Sequence, residues 1–507
     1  MTDRRALLRV GIHGAMAAAG LGAALLLPAV AGAAPSDDSG HTRGPSTGHR
    51  TAMQSSLHSQ SSPARASGAR STSPHPAAHA APAAPAPAPG PIQATILAMQ
   101  AYVYGYPLLE FEKFRSEASS LNTISLRTGF ASPDAVPIWR PNADTFYSRA
   151  ILDLSSGPVV LSIPDMGDRY FSFQLIDPYT NVVDYIGTRA TGSGPGTFAI
   201  TWAGGPQLNV DGAQVVTVPY QNMVMLGRTL VGDVADQQRA IALMRQFTLT
   251  PSGPSAAPPA KIEPPAGLAL LDAISAAMEI NPPPAADAAK LEAIARIGVG
   301  PGLRVADAHL GPLASAAVDL AVRASVVLLP LLSGLAQYES ALANRGWAVT
   351  DPSIGKYGTD YQLRAGVAFV GPWANVPDEA VYSAGLLDEY LSPLNGSRDY
   401  VMHFAPGQQP PAGAFWSVTV YDPSGQFVAN PLNRYSISSS RPGELVTRSD
   451  GSIDIVFSQT DPGDPGANWL PVPGTEFSAY LRVYVPGQAV LDGQWTPPPI
   501  EPLKIKR

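Results

Sequence analysis

The chain has no cysteine, and charged residues make up only 14% of its 507 positions against 45% hydrophobic. The missing thiols exclude disulfides, thiolate nucleophiles and cysteine-held zinc or iron–sulfur centres. Histidine is scarce where chemistry would need it. Of the 8 histidines, six (His13, His41, His49, His58, His75 and His79) fall in an N-terminal stretch read below as leader and tether. His309 and His403 remain, so a Ser-His-Asp triad has only two imidazoles to choose from, and a two-histidine metal site would need both. Net charge is −7 with a pI near 5.6, and no basic stripe is interleaved with aromatics. Nucleic acid is therefore not an expected partner.

Proline and glycine are abundant, with 52 and 47 residues. Together with low charge they favour turn-rich β architecture, and the length implies more than one domain. Residues 1–34 read as a signal peptide. Arg4, Arg5 and Arg9 precede apolar Val10–Val30, and Ala31-Gly32-Ala33 fits a cleavage site. Export is thus expected, to the cell envelope or beyond. DRRALLR resembles a twin-arginine signal, with a general secretory leader or an uncleaved anchor as alternatives. Residues 35–91 are low in complexity and read as a disordered Pro/Ala/Ser-rich tether. No membrane contact is expected beyond the leader, because the next apolar run, Val318–Leu335, is interrupted by Arg323, Pro330 and Ser333.

The remaining chain reads as three parts: an N-terminal β domain over 92–250, a helical connecting region over 251–395 and a C-terminal β domain over 396–507. A helix is expected from Ile92, just after Pro91, with Ile92, Ile96, Val103 and Tyr104 near one face and a kink or break at Pro107. Pro141–Arg189 reads as four short strands. GTFAITW, QVVTV and NMVMLGRTL add more, followed by a helix with Asp233 as N-cap. Three Ala/Leu-rich helical stretches come next, and Gly298–Gly302 between two of them reads as a helix-ending turn. Towards the C-terminus, Ala479, Leu481 and Val483 share one strand face and Tyr480, Arg482 and Tyr484 the other. The expected fold is mainly β with a helical bridging region, α+β and multidomain. It comprises an N-terminal β-sandwich-like domain and a C-terminal jelly-roll-like β-sandwich.

The same alternation supplies the candidate site. Tyr147 and Arg149, then Tyr170 and Gln174, then Tyr185 and Arg189 fall on the strand faces opposite the expected core. Asp144, Tyr147 and Arg149 are the catalytic candidates, a carboxyl beside a phenol and a guanidinium being able to move a proton if burial shifts it. Tyr170, Gln174, Tyr185 and Arg189 are the binding candidates, since arginines on a tyrosine-lined sheet clamp oxyanions or stack on sugars. The alternative is a buried polar network at a domain junction. In the C-terminal part Asn433, Arg434 and Tyr435 of NPLNRYSI are further binding candidates, although Asn-Pro segments also make turns. Asp165, Asp168, Asp177 and Asp184 could pair for hydrolysis or hold calcium, but their PDMGDR and DPYTN settings favour turns. No metal and no cofactor are expected.

Long motifs then resemble the paired DUF1254 and DUF1214 families. The N-terminal likeness rests on AYVYGYPLLEF, NADTFYSRAILDLSSGPVVLSIPD, RYFSFQLIDPYTNVVDYIGTR and MLGRTL. The C-terminal one rests on FWSVTVYD, VANPLNRYSI, DGSIDIVFSQTDPG, NWLPVPGTEFSAYLRVY and DGQWTPPPIEPL. This resemblance implies two β-rich domains bridged by helices, often in exported bacterial proteins, with a hydrolase role suggested. His403 stands where similar proteins are expected to carry arginine, which argues against a general catalytic role for it. The expected function is an exported hydrolase acting on a small ester, glycoside or envelope-derived substrate in a cleft between the β domains. The alternative is a non-catalytic envelope protein that binds a ligand or partner. A small molecule or glycan is the expected ligand, and a homo-oligomer is compatible with the sequence.

Overall fold

A strand that alternates aromatic and small polar residues needs a covering layer on one side at least, and in this protein most strands have one on both. The structure, a computed structural model, describes residues 88–133, 139–206, 208–441 and 443–503. The expected leader and most of the expected tether lie outside the described residues.

The N-terminal sandwich pairs two sheets. Strands β1 (Ser125–Arg127), β2 (Thr145–Asp153), β8 (Asn222–Leu230), β4 (Phe171–Ile176) and β5 (Val182–Gly187) form a five-stranded antiparallel sheet in that order. Strands β7 (Gln214–Val218), β6 (Gly196–Trp202), β3 (Val159–Ile163) and β9 (Thr248–Pro251) form the second, with β6 and β7 parallel. Pro141–Arg189 thus supplies four strands, β2 to β5. Phe146, Ala150 and Leu152 of β2, Phe171, Phe173 and Leu175 of β4, Leu161 of β3 and Phe198 of β6 pack between the sheets. Helix α2 (Val234–Met244) closes this core with Ala240, Ile241 and Met244, and Asp233 caps it by accepting from the Asp236 N–H.

The C-terminal sandwich is built alike. One sheet runs β10 (Trp347–Val349), β11 (Ala380–Gly385), β17 (Ser478–Pro486), β13 (Ala412–Tyr421) and β14 (Ser436–Ser438). The other runs β16 (Ala467–Pro471), β15 (Ile453–Ser458), β12 (Tyr400–Phe404) and β18 (Ile500–Pro502). Their shared core includes Met402, Trp416, Val418, Ile455, Leu481 and Val483. The pair β15 and β16 is parallel, a departure from an all-antiparallel jelly roll. Strands β10 and β11 come from the stretch expected to be helical, so this sandwich recruits chain from well before residue 396.

Helices α1 (Pro91–Ser116), α3 (Leu268–Ile280), α4 (Ala288–Ala295), α5 (Pro312–Ala343) and α6 (Tyr361–Val370) form a third layer. Leu97, Ala101 and Tyr104 of α1 meet Ile274 of α3, Ile294 of α4, Val318 and Val322 of α5 and Phe369 of α6. Two expectations are corrected here. Ile92 and Ile96 are exposed, at 80% and 47%, while Ala94, Leu97, Ala98 and Ala101 make the buried side. Helix α1 also continues through Pro107. Packing on several neighbours outweighs the one hydrogen bond a proline removes. The glycine-rich segment Gly298–Gly302 is indeed a turn after α4, with Gly298 and Gly302 at positive φ. Helix α5 is long and apolar enough to cross a membrane by length and composition, with Val318 and Leu329 buried in this layer and Leu313 and Leu320 exposed.

Helices α1 and α3 touch at Gly105. A Cβ there would lie 2.4–2.6 Å from three side-chain atoms of Ile274. Gly105→Val should overpack the contact and lower stability by about 1–3 kcal/mol in chemical denaturation. An unchanged midpoint would show that the helices do not meet at this spot.

Candidate functional site

Sheet register decides which side chains share a face. Across the N-terminal five-stranded sheet Tyr147 pairs with Arg228, which pairs with Ser172; Arg149 pairs with Leu226, then Gln174, then Tyr185. These residues therefore point away from the sandwich core, as their alternation implies. On the C-terminal five-stranded sheet Tyr382 pairs with Arg482, which pairs with Ser417, and Ala380 pairs with Tyr484, which pairs with Phe415. That polar face is turned towards the first. Asn142 Nδ2 donates to the Tyr484 hydroxyl at 2.6 Å, and the Tyr170 ring meets Phe415 and Tyr484 edge-on.

Arg228 stands at the centre. It is 6% exposed and donates through Nη1 to Gln174 Oε1 (2.7 Å) and Asn375 Oδ1 (2.9 Å), and through Nη2 to the Trp373 carbonyl (3.1 Å). Asn375 in turn accepts from the Tyr185 hydroxyl and donates to that of Tyr382. Burial raises the Tyr185 and Tyr382 phenols, so both stay protonated and neutral, Tyr185 donating and Tyr382 accepting. Beside this group, Glu379 is buried and accepts from the Tyr170 hydroxyl at 2.7 Å and from Arg189 Nε at 2.6 Å. Gln174, Tyr185, Tyr170 and Arg189 thus gather around two groups that sequence reasoning missed, Arg228 and the segment Trp373–Glu379. Arg228 lay inside an apolar strand pattern; its one signal was its phase, matching Tyr147 across the sheet.

The three catalytic candidates have different surroundings. Asp144 is wholly buried, accepting from Ser417 Oγ at 2.6 Å and pairing with Arg441 Nη2 at 3.3 Å. Tyr147 is half-buried, its ring 5.8 Å from the Arg228 guanidinium. Arg149 is exposed and lies 4.2 Å over the Phe114 ring of α1. The C-terminal trio is apart from all of these. Asn430 organises a turn by accepting from Leu432 and Arg434 N–H groups, Asn433 is exposed at positive φ, and Arg434 Nη1 donates to the Trp469 carbonyl. Tyr435 stacks on Phe427, which stacks on Tyr421 of the polar face.

A half-buried strip continues from Tyr147 and Tyr382 to Tyr480, Trp139 and Arg140. The Arg140 guanidinium lies 3.7 Å from the Trp139 ring and 4.3 Å from that of Tyr480. Its Nη1 donates to Gln337 of α5 at 3.1 Å. The strip is pinned at Gly425, whose positive φ allows a tight turn and whose bare Cα lets Trp139 approach; a Cβ there would sit 2.2 Å from the indole. Arg482 donates to Thr419 Oγ1 (3.0 Å) and the Tyr421 hydroxyl (2.7 Å) in the same region. Among the described residues no group of three or more histidine, aspartate and glutamate side chains is placed to hold a metal.

This geometry defines a class: two β-sandwiches whose polar sheet faces meet beside a helical layer. Residues 121–251 match the family described as a protein of unknown function (DUF1254), and residues 379–488 match the corresponding DUF1214 family. The chain thus carries a match to each family, in that order. The VPA0106 protein from Vibrio parahaemolyticus has a similar fold, with 24% identity and a TM-score of 0.61 over 81% of this chain and all (100%) of that one. An uncharacterized protein from Burkholderia cenocepacia is 13% identical with a TM-score of 0.41, over 81% of this chain and 94% of its own. No curated protein matches the chain.

Among the acidic candidates, Asp177 has a raised carboxyl. It accepts from the Tyr179 and Asn181 N–H groups and from Asn181 Nδ2, the turn role its setting implies. Burial pushes it from 3.8 up to about 6, against the pull of those hydrogen bonds and of Arg364. A carboxyl raised in the fold stabilises the fold while protonated. Its contribution is full below about pH 4 and is lost as pH rises through about 6. Asp177→Asn cannot ionise, so from about pH 4 to about pH 8 the stability gap should move in the variant's favour by about 2–3 kcal/mol. Denaturation curves at the two pH values check this, and a constant gap would refute the raised carboxyl.

Proposed function

We propose that the protein captures a small ligand between the two facing sheets, in the manner of a binding protein. The carrying observation is the half-buried strip Tyr147–Tyr382–Tyr480–Arg140. Its aromatic and guanidinium groups keep accessible surface although they stand where the two sandwiches and α5 converge. Such a strip offers flat apolar walls with few, well-held polar groups, the usual make-up of a ligand site. Given the leader expected from the sequence, the setting we propose is the cell envelope or the exterior, and the ligand a small molecule or glycan.

The hydrolase reading has less behind it. Asp144 is committed to Arg441 and Ser417, and the hydroxyl of Ser417 donates to that carboxylate with no imidazole between them. His403 pairs instead with Asp454, on the other sheet of the C-terminal sandwich. His309 occupies a left-handed turn position before α5. Neither histidine is thus part of the strip.

Incubation of the full chain with a panel of small metabolites and glycans, read by native mass spectrometry, should show a retained ligand of unchanged mass. Tyr382→Ala should weaken its retention by about tenfold or more. Turnover abolished by a single substitution along the strip would overturn the binding reading in favour of an enzyme.

A further inference from the structure

The charges at this junction do not balance. Two buried carboxylates serve it, and each already has an arginine: Asp144 with Arg441, and Glu379 with Arg189. Three more guanidiniums, those of Arg140, Arg228 and Arg482, have only neutral acceptors among the described residues. These are amide oxygens, backbone carbonyls, the hydroxyls of Thr419 and Tyr421, and aromatic rings. Asp144 acts on Arg482 only at a distance. The three are neighbours, since Tyr382 feels both Arg228 and Arg482, and Arg482 repels Arg140. Burial and that repulsion both push Arg140 below its usual range. Beside them, Trp139 Nε1 is a buried atom with no hydrogen-bond partner among the described residues. Buried cations gathered without acids, beside an unused N–H, are short of negative charge.

We infer that the ligand held at this junction carries an oxyanion, a carboxylate or phosphate group, seated between Arg140, Arg228 and Arg482 with its body against the tyrosine and tryptophan rings. This rests on the binding reading above and names its ligand class. Guanidiniums suit the task because their planar fork meets two oxygens at once and their face stacks on aromatics. The oxyanion would supply the negative charge that the protein's own side chains do not.

Titration calorimetry of the full chain at fixed ionic strength, with sodium benzoate, its neutral isostere benzamide, inorganic phosphate and a neutral methyl glycoside, tests it. Benzoate or phosphate should bind saturably and benzamide at least about tenfold more weakly. Arg140→Gln should weaken the oxyanion by about tenfold or more, and Arg398→Gln, at an exposed site elsewhere, should not. Trp139→Phe removes an N–H that no described protein group uses, together with part of the ring that packs against Arg140 and Gly425. It should weaken the oxyanion several-fold, with the melting temperature checking that the fold is kept, so the test stays decisive if Arg140→Gln fails to fold. Equal binding of benzoate and benzamide, or an oxyanion affinity indifferent to Arg140→Gln and Trp139→Phe, would overturn the inference. Binding of the glycoside or benzamide, lost in Tyr382→Ala and without preference for an oxyanion, would leave the cleft standing and remove its charge specificity. Binding of none of the four would overturn the oxyanion, and an empty metabolite panel besides would remove the cleft as well.

Discussion

Along β4 and β8 neither face of the N-terminal five-stranded sheet is left to water, and the rest of the structure depends on that constraint. Every residue of β4 is buried, including Ser172 and Gln174. On one side Phe171, Phe173 and Leu175 enter the sandwich core, where burial against the second sheet is the driving term. On the other side the chain must satisfy a polar face with protein groups, because an unpaired buried donor or acceptor costs about 1–3 kcal/mol. The segment Trp373–Glu379 meets that demand: Gln174 and Arg228 exchange hydrogen bonds with each other and with Ala374, Trp373 and Asn375. Strand β11 begins directly after it, so the loop that completes the first sandwich also starts a sheet of the second.

The coupling of the two sandwiches follows. Asp144 reaches Ser417 and Arg441, Glu379 reaches Tyr170 and Arg189, and the Tyr421 hydroxyl donates to the Pro141 carbonyl. Phe415 and Tyr484 stack at 4.2 Å, and Tyr170 stands edge-on against both. Buried ion pairs add little net stability over an apolar contact, yet losing one partner is expensive. Pairs of this kind therefore serve better to fix how two bodies meet than to hold them together. The aromatic contacts contribute the attraction, and the paired charges penalise any other register.

Strand phase was legible in the sequence because period two is a local property. Tyr480, Arg482 and Tyr484 were separable from Leu481 and Val483 by alternation alone, and so were Tyr147 and Arg149 from Phe146 and Ala150. What covers a polar face is not local. The partner of Tyr170 is 209 residues away at Glu379, and one of the acceptors of Arg228 is 147 residues away at Asn375. Nothing in the spacing near β4 announces them. Asn375 and Glu379 sit in a Pro- and Gly-containing stretch that reads as a connection between elements. Pro107 misled for a related reason: its effect on an isolated helix is predictable, but α1 is clamped along its length by α3, α5 and α6.

The composition of the junction is itself informative. A contact needed only for cohesion is well served by leucine and phenylalanine, as both sandwich cores show, and apolar replacements of buried ion networks are commonly as stable or more so. Here Arg140, Arg228 and Arg482 converge on tyrosines instead, and Tyr147, Tyr382 and Tyr480 keep part of their surface uncovered. Desolvating three like charges near one another opposes folding, and the neutral acceptors around them only partly offset it. Local rules of packing are broken most readily where a site has another use. The two carboxylate pairs lie at the contact that sets the orientation of the sandwiches, whereas Arg140 lies on the strip that stays accessible and Arg228 and Arg482 are buried beside it. That arrangement is what cohesion alone would not produce, and it is why the strip, rather than the ion pairs beside it, is the place where we propose a ligand.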